Sequence, residues 1–171
     1  PIGKVDSGTF LLCNRNKRSM TLNLKHEEGK RIFRELAAQS DVVVEGFRPG
    51  VMDRLGLGYE ELRKINPRLV YCAISGYGQD GPYRRVAGHD LNYLGVIGAL
   101  PLFGKVGEGP MVPGLLAADI GASMIGAWGI LAAVLARQKT GEGQFVDVSM
   151  MDAAVSFLTY HAAEPLFGSV E

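Results

Sequence analysis

The chain has 171 residues and a mass of 18.4 kDa, with Lys+Arg and Asp+Glu balanced at 18 each. That length suits one domain, or a piece of a larger one, with room for a core, and a 47% hydrophobic, 21% charged content excludes intrinsic disorder. Zero net charge argues against a nucleic-acid partner, which needs a basic face, and Cys13 and Cys72 are too few for a disulfide framework, which points to a reduced, cytoplasmic setting.

No charged-then-apolar leader follows Pro1, so a signal peptide is not expected. Met20-Thr21-Leu22-Asn23-Leu24 alternates and predicts a strand. From His26 to Gln39, Ile32, Phe33, Leu36 and Ala37 share one side of an amphipathic helix. Asp41 to Glu45 is a β-branched run of the kind buried on both faces. Val51 to Leu55 and Tyr59 to Ile65 are short helical pieces around Gly56 and Gly58, and Leu69 to Ser75 is a further apolar strand. Strand and helix alternate, which is the pattern of a parallel α/β sheet.

The loops Gly46 to Gly50 and Gly76 to Pro82 leave successive strands, so both emerge at the carboxyl edge where open α/β sheets bind ligands. Ordinary glycine turns are the alternative reading, and neither loop is a P-loop or a dinucleotide fingerprint. Leu91 to Leu100 predicts a helix, and Pro101 to Pro113 a Gly/Pro-rich irregular connection. Leu115 to Gln138 predicts a long apolar helix, Phe145 to Met150 a strand, and Met151 to Phe167 a last helix. Ile120 to Ala136 carries no charge, but it falls short of the roughly 20 residues a bilayer needs and Asp119 blocks its extension. Its Gly121, Ala122, Ser123, Gly126, Ala127 and Gly129 suit close packing, so a buried helix and no membrane contact is the expectation.

Few residues offer chemistry. His26 opens an acidic helix start and reads as solvated, while His161 lies in an apolar helix and reads as a core or interface residue. His89 sits in Gly88-His89-Asp90 at a loop-to-helix junction, where free amides and the helix dipole favour an anion such as an enolate or phosphate. Simple capping explains the same segment. Asp119, between Leu115-Leu116-Ala117-Ala118 and the apolar run, is paired, or caps the helix, or is a carboxylate held at an unusual pKa for reaction. No metal-ligand spacing surrounds it, so no metal site is expected. The cations Arg15, Lys17, Arg18, Arg48 and Arg54 suit phosphates, or are simply solvated.

Several words, in order along nearly the whole chain, resemble the family III CoA-transferases (the CaiB/BaiF superfamily) and, within it, the α-methylacyl-CoA racemases. They are Asn14-Arg15-Asn16-Lys17-Arg18-Ser19, Asp41 through Glu45-Gly46-Phe47-Arg48-Pro49-Gly50, and Asn66-Pro67-Arg68-Leu69-Val70-Tyr71. Ser75 to Tyr83, Gly88-His89-Asp90-Leu91-Asn92-Tyr93, Ala118-Asp119 and Thr140 to Ser149 complete the set. The resemblance implies an α/β fold with a Rossmann-like parallel sheet and flanking helices. On this reading residues 1–171 are part of a large CoA-binding domain with the start of a linker to a second, and the family's first strand, first helix and C-terminal part lie outside the chain. Full-length relatives form interlocked homodimers.

By the same resemblance His89 and Asp119 are the acid/base pair of a racemase that inverts the α-carbon of a 2-methylacyl-CoA through an enolate. Backbone amides near His89 would stabilise the enolate oxygen. In a transferase, Asp119 would instead attack the thioester and form a mixed anhydride; the histidine tips the choice toward the racemase. Asn14, Arg15, Asn16, Lys17, Gly46, Phe47, Arg48, Arg54, Gly88, Asp90, Leu91, Asn92 and Tyr93 would hold the CoA portion of the acyl-CoA thioester. No cofactor beyond that CoA is implied. A CoA-binding module without turnover is the non-enzymatic alternative.

Overall fold

The computed structural model describes residues 7–105 and 107–168. Three parallel strands, β1 (Val42–Glu45), β2 (Val70–Ser75) and β3 (Phe145–Ser149), form a sheet in the order β1-β2-β3. The sheet is parallel, as the alternation predicts. Helices α3 (Val51–Leu55) and α4 (Tyr59–Ile65) connect β1 to β2, and α5 (Asp90–Val96) and α6 (Ala117–Thr140) connect β2 to β3. Before the sheet come α1 (Gly8–Cys13) and α2 (Glu27–Ala38); after it come α7 (Met150–Ser156) and α8 (Thr159–Phe167).

Period-two alternation along β2 sorts the core into two layers. Tyr71 and Ala73 pack with Ala37, Leu62 and Leu69 against α2 and α4 on one face. Cys72 faces the other way and packs with Ala122, Val148 and Ala153 under α6 and α7. Burial in this apolar layer pushes the Cys72 thiol up to about 11. A third cluster of Tyr93, Leu94, Ala99, Ala118 and Ala154 joins α5, α6 and α7 beyond the carboxyl end of the sheet.

Several expectations need correction. Met20 to Leu24 forms no strand, because Asn23 turns the chain locally: its Oδ1 accepts the Lys25 amide at 3.0 Å and its carbonyl the His26 amide at 3.1 Å. β1 is not buried on both faces. It lies at the edge of the described sheet with Val44 55% exposed, whereas β2 is the enclosed strand. The long apolar helix is only half buried: Gly121, Ala122, Gly126 and Ala133 face the protein, while Ile120, Met124, Trp128, Leu131 and Leu135 point outward. Its small residues let it sit close to the sheet; a Cβ on Gly126 would stand 3.3 Å from Ile74 Cδ1.

The helix expected from Leu91 to Leu100 stops at Val96, since Gly98 takes a positive φ of 74° and only a 3-10 turn, Leu100–Leu102, follows. The final helix is two helices, broken at Phe157 and Leu158, where the amides turn back to the Ala154 and Val155 carbonyls. The short α1, capped by the Ser7 hydroxyl, has no counterpart in the expected elements.

Candidate active site

Because the strands are parallel, the segments following β1, β2 and β3 converge at one edge. Gly46 to Pro49, Ser75 to Tyr77 and Met150 there line a cleft of about 280 Å³ together with Arg84, Val86 to His89 and Tyr93. The loop after β2 is shaped by Tyr93. Its hydroxyl donates to the Gly88 carbonyl at 2.8 Å, and its ring leaves no room for a side chain at two positions. A Cβ on Gly76 would lie 2.6 Å from Tyr93 Oη, and one on Gly88 2.7 Å from Tyr93 Cε1.

His89 is the residue before α5. Its amide donates to Asn92 Oδ1 at 2.9 Å, and its side chain is exposed at the cleft wall. The next residue, Asp90, turns inward and is 6% exposed. Asp90 Oδ1 accepts the amides of Ala118 at 2.7 Å and Asp119 at 3.0 Å, 28 and 29 residues downstream. Asp119 is thereby tied to the segment that carries His89, although its side chain is not among those lining the cleft. Burial pushes the Asp119 carboxyl above the ordinary range, the Asp90 charge adds to that, and His89 opposes it.

Beside the cleft, Arg48, Arg54, Arg84 and Arg85 with Pro49 and Gly50 surround a second hollow of about 360 Å³. Gly50, at φ 79°, makes the left-handed turn that starts α3 and brings Arg48 and Arg54 together. Arg48 and Arg84 line both hollows, so a cationic groove runs on from the His89 cleft. Four guanidinium groups around one hollow suit a polyphosphate. Arg84 and Arg85 were not among the cations singled out from sequence; the signal available was an adjacent basic pair in the loop after β2.

The other expected residues divide between the two hollows and places apart from them. Asn14, Arg15, Asn16 and Lys17 form the turn after α1, where Lys17 Nζ donates to the Cys13 carbonyl at 2.7 Å, and none lines any of the clefts described. Gly46 and Phe47 line the His89 cleft, and Arg54 the arginine hollow. Leu91 is exposed, and Asn92 is engaged with the His89 amide. His26 is exposed as expected and also caps α2 through Nδ1, which accepts the Glu28 amide at 3.3 Å. His161 is exposed on α8 beside a small apolar hollow.

The family model for CoA-transferase family III matches residues 2–170. The mouse protein named succinyl-CoA:glutarate CoA-transferase is 39% identical over 171 residues, all of this chain and 39% of that protein. The human α-methylacyl-CoA racemase is 46% identical over 139 residues, 81% of this chain and 36% of that protein. A crystal structure of a CAIB/BAIF family protein from Brucella suis superposes with a TM-score of 0.87 at 40% identity, over 90% of this chain and 41% of that one. The chain thus spans well under half the length of the relatives it matches. On a match that runs almost from end to end, and on the fold as well, this chain belongs to the CoA-transferase family III.

Proposed function

We propose that the intact protein is an acyl-CoA racemase that inverts the α-carbon of a 2-methylacyl-CoA, with residues 1–171 forming part of its CoA-binding α/β domain. One observation carries the reading: Asp90, the residue after the cleft-wall imidazole, bonds the backbone amide of Asp119, whose carboxyl is raised, and a groove of arginines adjoins that cleft. Arg48, Arg54, Arg84 and Arg85 would hold the phosphates of the CoA, and His89 and Asp119 would serve the α-carbon from opposite faces.

The chemistry is a 1,1-proton transfer. One group removes the α-proton, leaving the C–H electron pair in an enolate conjugated with the thioester carbonyl. The other group delivers a proton to the opposite face, so the first ends protonated and the second deprotonated. His89 is exposed and Asp119 partly so, and exchange with water resets both. A carboxyl held above its usual range can carry a proton for part of the cycle, as an acid/base group must. The amides opening α5 stand beside His89 and suit the enolate oxygen.

A second reading is CoA transfer with Asp119 as nucleophile, favoured by the mouse relative that matches the whole chain and is named a CoA-transferase. Deuterium uptake at the α-carbon in heavy water separates the two. The racemase reading expects uptake by the intact enzyme that is lost in His89→Ala. It fails if the active enzyme incorporates no deuterium and instead moves CoA to a free carboxylic acid.

A further inference from the structure

The sequence pattern groups Asp90 with residues that contact the ligand, yet its side chain faces the protein interior and is 6% exposed. Both of its described bonds are to backbone amides at the start of another helix. That helix, α6, has no cap of its own, because the residue before it is Leu116, whose side chain accepts nothing. Its first-turn amides are left to Asp90, 28 residues earlier in the chain. Ala118, one of the two donors, is fully buried in the cluster that also contains Tyr93 and Leu94 of α5. A carboxylate accepting two amides at a helix N-terminus is a charge-assisted, dipole-favoured arrangement that fixes both ends.

We propose that Asp90 is a positioning residue: by bonding the Ala118 and Asp119 amides it docks the first turn of α6 onto α5 and sets the separation of Asp119 from His89. The inference builds on the reading of His89 and Asp119 as the reacting pair. Its first half holds equally if Asp119 acts as a nucleophile. The geometry separates two tasks that an ordinary cap combines. A local cap satisfies the α6 amides, but only a cap borne on α5 also holds the two helices in register. Displacement of a reacting group by about 1 Å can slow a step roughly a hundredfold while leaving remote binding contacts in place.

The experiment compares Asp90→Asn, Asp90→Ala and the double variant Asp90→Ala/Leu116→Ser in the intact enzyme. The serine supplies α6 with a local cap but no link to α5. Turnover is read as α-proton exchange or, if the wild type shows none, as CoA transfer, so failure of the racemase reading is seen in the wild type alone. Expected are a severalfold lower kcat for Asp90→Asn, a roughly ten- to hundredfold lower kcat for Asp90→Ala, and KM within about twofold of wild type in both. The double variant should regain the unfolding midpoint lost in Asp90→Ala without regaining kcat. Recovery of kcat in the double variant would reduce Asp90 to a plain cap and overturn the proposal, as would a raised KM with kcat intact, the mark of a ligand contact. If the alanine variants do not fold, Asp90→Asn decides: kcat lowered at constant KM supports the proposal, and unchanged kcat overturns it.

Discussion

Replacing Arg137 with methionine tests what holds the amino end of the sheet. Arg137 lies in the last turn of α6, with its side chain 10% exposed, and reaches the starts of two strands at once. Nη1 donates to the Arg68 carbonyl at 3.0 Å and the Asp41 carbonyl at 3.3 Å, and Nη2 pairs with Asp41 Oδ1 at 2.8 Å. Methionine keeps much of the apolar stem and removes every donor. The Asp41 carbonyl retains the Val70 amide at 3.1 Å, but the Arg68 carbonyl keeps no other donor among the described residues. A charge-assisted bond to this part-buried acceptor is worth about 1.5–3 kcal/mol. The ion pair adds under about 1 kcal/mol because the Asp41 side chain is 81% exposed. Relief of the buried, unpaired Nε offsets part of this, leaving a loss of about 2–3 kcal/mol. Asp41→Asn should cost less than about 1 kcal/mol, since water replaces the partner of an exposed carboxylate. Urea unfolding of the two variants reads the asymmetry directly, and the folded Arg137→Met enzyme should keep its KM because the change lies at the opposite end of the strands from His89. Equal losses in the two variants would refute the reasoning, and so would a neutral Arg137→Met.

Asp119 should trade stability for function. Its carboxyl is raised in the fold, so the native state binds more protons than the unfolded chain between the ordinary aspartate value of 3.8 and the raised value, and stability falls as pH climbs through that window. Above the raised value the penalty is present in full. Asp119→Asn is therefore expected to be inactive yet more stable than wild type at pH 7, with an advantage that shrinks toward pH 4 in denaturant titrations; an advantage growing on acidification would contradict the assignment. Gly76→Ala should lose about 1–3 kcal/mol and most activity, because its Cβ would meet Tyr93 Oη at 2.6 Å. Gly109→Ala, with nothing within 4 Å, should change stability by less than about 0.5 kcal/mol. Equal effects at the two glycines would show that Tyr93 does not constrain the loop.

Local chemistry alone was enough for a good part of this molecule. The short helices Val51–Leu55 and Tyr59–Ile65 are framed by Gly50, Gly56, Gly58 and Asn66; Gly50 and Gly56 take positive φ, Pro67 follows the second helix, and such signals act within a few residues. The alternation of strands and helices implied a parallel sheet and hence one edge where the loops meet, and the motif words along the chain pointed to the family. Met20 to Leu24 marks the limit of such reasoning. It alternates as a strand does, but strand formation needs a neighbour, and no pattern within five residues reveals whether a ladder or the Asn23 turn will take the backbone groups. The helical signal from Met151 to Phe167 likewise hid a break at Phe157.

The inward turn of Asp90 is of the same kind. Nothing in Gly88-His89-Asp90 says that the carboxylate will be desolvated, or that its partners lie 28 and 29 positions later. Gathering Arg84 and Arg85 with Arg48 and Arg54 around one hollow also waits on the folding of two loops onto the same edge. Backbone preference and hydrophobic period act over one turn or one pleat, so residue order suffices to write them. Burial, pKa and the meeting of distant side chains depend on which surfaces lose their water, and that is settled only when the layers pack.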